Sequence, residues 1–174
     1  TGIAMQWQVI GNGLITAIGF VLLYIIWNLT AAQLFSRQSV KIAKEKEILQ
    51  ALPDQLPSLI LVFGLISLEA GLLEEIFFRG IIQTNFAPYI GQSYSVLVSA
   101  ILFGLGHYYQ GPGGVVGTSI LGVCLGLSYA LTGNLLVPII GHFLGDFGCM
   151  LLQCRQILKQ KRISKAVTDC QNTK

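Results

Sequence analysis

The sequence predicts an all-α membrane protein. One integral membrane domain, residues 1–174, is expected to form a polytopic helical bundle of about five transmembrane helices, with an amphipathic helix at the membrane surface. Three observations predict this. Hydrophobic residues make up 53% and charged residues only 11% of the chain, and mean hydropathy is +0.66, whereas an average soluble domain is about 25% charged. Several apolar runs approach or exceed the roughly 20 residues that span a bilayer. Finally, almost all basic residues gather in two places, which fixes a consistent topology.

The first apolar run covers about residues 8–35, with Trp7 and Trp27 as interface anchors. The polar segment 37–57 follows. Its Val40, Ala43, Ile48 and Leu52 recur at helical spacing, and Pro53 and Pro57 end the pattern. It reads as a short surface helix. The second run, 57–86, is closed by a turn at 87–91. The third, 93–109, ends at Gln110-Gly111-Pro112-Gly113-Gly114. The fourth, 114–132, turns back at Thr132-Gly133-Asn134, and the fifth is 135–153. A basic tail, 154–174, closes the chain.

Arg37, Lys41, Lys44 and Lys46 lie after the first run; Arg155, Lys159, Lys161, Arg162, Lys165 and Lys174 lie after the fifth. Five crossings place both clusters on one side, the cytoplasmic side by the positive-inside rule. The expected location is the plasma membrane of a prokaryote, with the basic loop and C-terminus in the cytoplasm. The net charge of +3 arises from these clusters, so nucleic acid is not an expected partner. Residues 57–86 would form a helix of about 45 Å, longer than the ~30 Å hydrocarbon core. Strong tilt, or a break near Gly64 or Gly71, is expected. Cys124, Cys149, Cys154 and Cys170 form no CxxC pair and read as small core residues or a free tail thiol.

Glu69, Glu74, Glu75, Arg79, His107, His142 and Asp146 fall inside apolar runs. Each costs several kcal/mol to bury on insertion scales, roughly 2.5–3.5 for the charged types, so intramembrane ionisable residues point to function. Glu75 and Arg79 are four apart and share a helix face. Glu74 is turned about 100° from Glu75 and is left to face a cavity. Glu74 and His107 lie at similar distances either side of the turn near residue 90, so a hairpin brings them to similar depth. A carboxylate and an imidazole there would share and polarise a water. His142 and Asp146, four apart on another helix, would bind a developing oxyanion or orient the substrate. Each pair also has a structural reading: a buried Glu–Arg pair that only neutralises, histidines that only bond helix to helix, an Asp146 that only fixes the tautomer of His142. Glu69 reads as structural. The joint occurrence on three spans favours chemistry.

Three segments resemble a known family. EEIFFR, Glu74 to Arg79, resembles the EExxxR motif of the CPBP proteins, the type II CAAX prenyl endopeptidases and bacteriocin-processing enzymes also called ABI proteins. FGLGH, Phe103 to His107, resembles their FxxxH motif. HFLGD, His142 to Asp146, resembles their third motif, a histidine followed four residues on by Asn or Asp. The resemblance covers about residues 57–153 and implies an intramembrane endopeptidase. It implies Glu74 as the base that activates water, with His107 assisting, and His142 with Asp146 as transition-state stabilisers. Glu75, Arg79 and Phe103 would be supporting residues. Position 146 is Asp where prenyl-protein proteases use Asn, and an ionised Asp would repel an oxyanion. With about five spans the chain is also shorter than those proteases, so specificity for prenylated CAAX tails does not follow.

The expected activity is therefore hydrolysis of a peptide bond in a peptide or membrane-associated protein tail, at the bilayer. The alternative is a non-catalytic immunity or partner-binding membrane protein on the same scaffold. No cofactor is expected. If a metal is used, Glu74, His107 and His142 offer a three-ligand set of the kind that holds zinc; there is no HExxH pair, and metal-free activation needs the same residues. Gly113–Gly117, Gly122–Gly126 and Gly141–Gly145 each form GxxxG, a signal for close helix packing.

Overall fold

A computed structural model describes residues 2–34 and 51–172, and every described element is helical. In chain order these are α1 (Gly2–Leu34), α2 (Leu56–Glu75), a π-helical segment (Ile76–Gln83), α3 (Thr84–Ile90), α4 (Gln92–Gly106), a 3₁₀ turn (Tyr108–Gln110), α5 (Pro112–Thr132) and α6 (Leu136–Asn172). Among the described residues four stretches are long and apolar enough to cross a membrane: Ala4–Thr30, Leu56–Ile90, Pro112–Thr132 and Leu136–Cys154. The third expected span, 93–109, is α4, a shorter apolar helix of 15 residues and about 22 Å. The amphipathic surface helix expected at 37–57 falls largely outside the described residues, as do Lys41, Lys44 and Lys46.

The long second run neither breaks at Gly64 nor at Gly71. Leu56–Ile90 is continuous, but from Ile76 to Gln83 it changes to i→i+5 bonding. Gly71 serves a different purpose. A Cβ there would stand 3.0 Å from the backbone nitrogen of Phe143, so its absence lets α6 approach α2. The turn expected at 87–91 is confined to Gly91. The helix runs through Pro88, and the chain reverses only where Gly91 adopts φ 81°, a conformation that L side chains avoid. Gly111 and Gly133 close the next two turns, also with positive φ. The basic segment from residue 154 is not separate from the fifth run, because α6 continues to Asn172 without interruption. Beyond the span, Lys161 donates to the Leu52 carbonyl and pairs with Asp54 at 2.6 Å, tying α6 to the chain that leads into α2.

In lipid, apolar surface gives little reason for helices to associate, so close packing and polar contacts must hold the bundle. The glycines supply the first. Helices α1 and α6 run parallel and interlock: Ile140 fills the notch at Gly13, Thr16 the notch at Gly141, and Phe20 the notch at Gly145. Gly122 lets α5 approach Ala100 and Phe103 of α4. Phe20, Leu125 and Cys149 form one buried cluster, and Leu59, Phe63 and Cys154 a second at the basic end. Cys124, Cys149 and Cys154 are unbridged, as expected for core residues. Large apolar side chains such as Ile15, Ile18, Leu22, Leu61 and Leu65 cover the outer surface.

Candidate active site

The site starts from the π-helical segment. Its turn holds more residues than the 3.6 of an α-helix, so side chains four apart come more nearly into line. Arg79 and Gln83 use this alignment. Arg79 Nη2 donates to the carbonyl of Gly122 at 2.8 Å, and Gln83 Nε2 donates to that of Gly126 at 3.0 Å. Two side chains four apart thus grip two glycine carbonyls four apart on α5. The segment has its own supports: Ser99 Oγ of α4 donates to the Phe78 carbonyl at 2.8 Å, and Thr84 Oγ1 to the Arg79 carbonyl at 2.8 Å. Such wide turns concentrate at functional sites.

Glu75 and Arg79 pair as their spacing predicts, with Nη1 to Oε1 at 2.7 Å. The Arg79 guanidinium also lies over the Phe103 ring, 4.9 Å from its centre. The sequence gives no sign of the next contact. Glu75 Oε1 also accepts from His142 Nδ1 at 2.8 Å, a bond between residues 67 positions apart. Glu75 therefore joins arginine and histidine and is more than a neutralising partner. Because an ionised carboxylate only accepts, the Nδ1 proton is fixed on that side of the ring. His142 Nε2 points the other way, with Asp146 Oδ2 at 3.4 Å and Glu74 Oε2 at 3.9 Å.

Exposure divides the group. The side chains of Glu75 and Arg79 are 0% exposed and that of His142 is 3%, whereas Asp146 is 27% and Glu74 32% exposed. The sealed half is the ion pair. The accessible half is the Nε2 side of His142, flanked by two carboxylates. Glu74 Oε2 is itself buried and has no hydrogen-bond partner among the described residues. The prediction that Glu75 pairs with Arg79 while Glu74 stays free of that pair holds.

The expected facing of Glu74 and His107 across a water needs no direct bond, and no hydrogen bond or ion pair joins the two among the described residues; they lie within electrostatic reach of each other, and Glu74 also lies beside His142. The placing of His107 is local. Helix α4 ends at Gly106, and His107 caps it at φ −95°, ψ 19°, off the helical path. Its Nδ1 is held 2.9 Å from the Phe103 carbonyl, and its ring packs between Phe103 and Tyr109. The two histidines meet through one ring: Phe103 lies 4.9 Å from His107 and 5.8 Å from His142, centre to centre. Phe103 thus carries Arg79 and both imidazoles. Glu69 is exposed on the outer face of α2, away from this group.

The possible metal set of Glu74, His107 and His142 does not assemble. Among the described residues no group of three or more His, Cys, Asp or Glu side chains is arranged to hold a metal ion. Two residues at the site went unnoticed in the sequence. Gln83 had a signal, since it lies four residues beyond Arg79 in the same apolar run. Phe20, stacked on His142 at 5.5 Å, had none.

No curated protein and no solved structure matches the chain. A family model does. Described as type II CAAX prenyl endopeptidase Rce1-like, it matches residues 56–148, a stretch that holds Glu74, Glu75, Arg79, Phe103, His107, His142 and Asp146 and leaves out α1. With more than half of its length matched, the chain belongs to the Rce1-like family of CAAX-type intramembrane endopeptidases.

Proposed function

We propose that the protein hydrolyses a peptide bond within the membrane, with water activated by Glu74. The observation that carries this reading is the division at His142: Nδ1 is held by sealed Glu75, while Nε2 faces the accessible carboxylates of Glu74 and Asp146. Glu74 takes a proton from the water as its oxygen attacks the scissile carbonyl carbon. His142 meets the carbonyl oxygen as negative charge develops. Charged on both nitrogens, it donates from Nδ1 to Glu75 and from Nε2 to the oxyanion, so both of its polar contacts are satisfied. His107, anchored through Nδ1, presents Nε2 as the second histidine and assists the water. The proton held by Glu74 then passes to the leaving amine, and the products are a carboxylic acid and an amine. Asp146 holds the Nε2 side of His142, which gives an aspartate a use where an amide would donate directly. No step runs through a metal.

The substrate is a peptide or the tail of a membrane-associated protein, reached from the side of the bilayer that carries the basic residues. By the positive-inside rule this is the cytoplasmic side, and a prokaryotic plasma membrane is the proposed setting. Processing of a bacteriocin-like peptide fits this reading as well as cleavage of a CAAX tail does.

The test can be run before any natural substrate is identified. Purified protein is incubated with a proteome-derived peptide library, and new termini are read by mass spectrometry. Wild type should generate termini that Glu74→Gln and His107→Gln do not, while all three proteins unfold at similar temperatures. Equal cleavage by wild type and Glu74→Gln sinks the assignment. If a cellular protection phenotype survives Glu74→Gln, the protein acts as a non-catalytic immunity or binding protein.

A further inference from the structure

The family match begins at residue 56, yet the site does not end there. Helix α1 reaches it through Phe20, which is 3% exposed. The Phe20 ring stacks on the imidazole of His142, with centroids 5.5 Å apart and planes 30° apart. On another side Phe103 meets the same imidazole nearly edge-on, at 5.8 Å and 78°. His142 therefore stands between two aromatic rings, one from α4 inside the matched segment and one from α1 outside it.

We propose that Phe20 is a positioning residue for His142, so that α1 forms a wall of the active site; for catalysis this rests on the hydrolase reading above. The Glu75 bond fixes Nδ1, and Asp146 stands 3.4 Å from Nε2, but these contacts at the two nitrogens leave the ring free to turn about the line that joins them. The plane of the imidazole needs a further constraint. A flat ring between two aromatic walls has few planes open to it, since protein interiors pack closely and off-rotamer side chains are penalised. Phe20 is itself held from behind. A Cβ at Gly145 would lie 2.6 Å from its ring, so the ring fills the notch that glycine leaves, one turn beyond His142 on the same helix. The adjoining notches at Gly13 and Gly141, filled by Ile140 and Thr16, set the height of α1 against α6. The GxxxG pair of α6 thereby places the wall and the residue it supports together.

The chain has two histidines, which makes a direct test simple. Full-length protein carrying ¹³C-labelled histidine is examined by NMR in micelles, and His107→Gln assigns the two ring signals. An imidazole between aromatic faces resonates at a displaced position. Phe20→Leu should move the His142 signal and leave that of His107 in place, and Phe20→Tyr, which keeps the ring, should restore it. Val21→Ala, in the same apolar cluster, should lower stability without moving the signal. If Phe20→Leu does not fold, Gly145→Ala displaces the ring from the opposite side and should move the same signal. On the library peptide that wild type cuts fastest, Phe20→Leu should lower kcat about tenfold and leave KM unchanged, a smaller loss than the hundredfold that a full 1 Å misplacement can cost. A His142 signal that stays in place, or an unchanged kcat, overturns the proposal. If wild type cuts no peptide, the hydrolase reading fails, and the NMR result still decides whether Phe20 orients His142.

Discussion

The ion pair at the centre of the bundle allows a quantitative prediction. Glu75 and Arg79 are both fully buried; Glu75 accepts from Arg79 at 2.7 Å and from His142 at 2.8 Å, and Arg79 also donates to the Gly122 carbonyl. Glu75→Leu leaves a buried guanidinium with one carbonyl and the Phe103 face. Removing one partner of a buried pair costs about 3–5 kcal/mol, because the other charge stays buried. Arg79→Met should cost a similar amount, since it strands Glu75 with His142 alone. The double variant removes both charges. It should lose much less than the sum of the single losses, leaving a coupling energy of about 2 kcal/mol or more. Unfolding of each purified variant in detergent, followed by the fluorescence of Trp7 and Trp27, measures all three. Activity should behave differently. The double variant regains stability but not the acceptor for His142 Nδ1, so its cleavage should stay as low as that of Glu75→Leu. Additive stability losses would refute the claim that the pair is one buried unit. Recovery of cleavage in the double variant would refute the orienting role of Glu75.

Other outcomes follow from single contacts. Asp146→Asn keeps a polar group of the same shape beside His142 Nε2, so cleavage should stay within about tenfold of wild type, whereas Asp146→Ala removes that support and should lose more, up to about a hundredfold if His142 is misplaced by 1 Å; a peptide-cleavage rate for each separates the two. Gly71→Ala puts a methyl group 3.0 Å from the Phe143 backbone nitrogen, where neither helix can yield cheaply, and should cost about 1–3 kcal/mol in the same unfolding assay. Ser99→Ala removes the bond to the Phe78 carbonyl in the π-helical segment and should cost about 1 kcal/mol, with loss of cleavage exceeding that of an equally destabilised variant elsewhere in α4.

Much of this architecture is legible in the sequence, for two physical reasons. Lipid leaves the chain few choices: a run of about 20 apolar residues has to satisfy its backbone internally, and the helix does so. Charge in such a run is costly, so Glu74, Glu75, Arg79, His107, His142 and Asp146 stand out without any structure. The Glu75–Arg79 pair follows from helical spacing alone, because both residues lie on one continuous helix.

What remained hidden depends on contacts between helices. A spacing of four predicts Glu75 beside Arg79, but no spacing relates Glu75 to His142 or Phe20 to His142. Those contacts arise from the heights at which α1, α2 and α6 pack, and the glycine notches set those heights. The wide turn at Ile76–Gln83 was hidden for a related reason. IFFRGIIQ contains no proline, and its one glycine does not mark a break, so local propensity gives an ordinary helix. The departure is held from outside by Ser99 on α4 and by the carbonyls of Gly122 and Gly126 on α5. A helix too long to cross straight thus gains a wide turn rather than a break, and that turn begins at the residue after Glu75. It leaves Glu74 and Glu75 at the end of a regular helix, about 100° apart, with one carboxylate sealed behind His142 and the other in front of it. The helix that the sequence shows as too long thus leaves regular α geometry at the residue where its two glutamates have parted to opposite sides of His142.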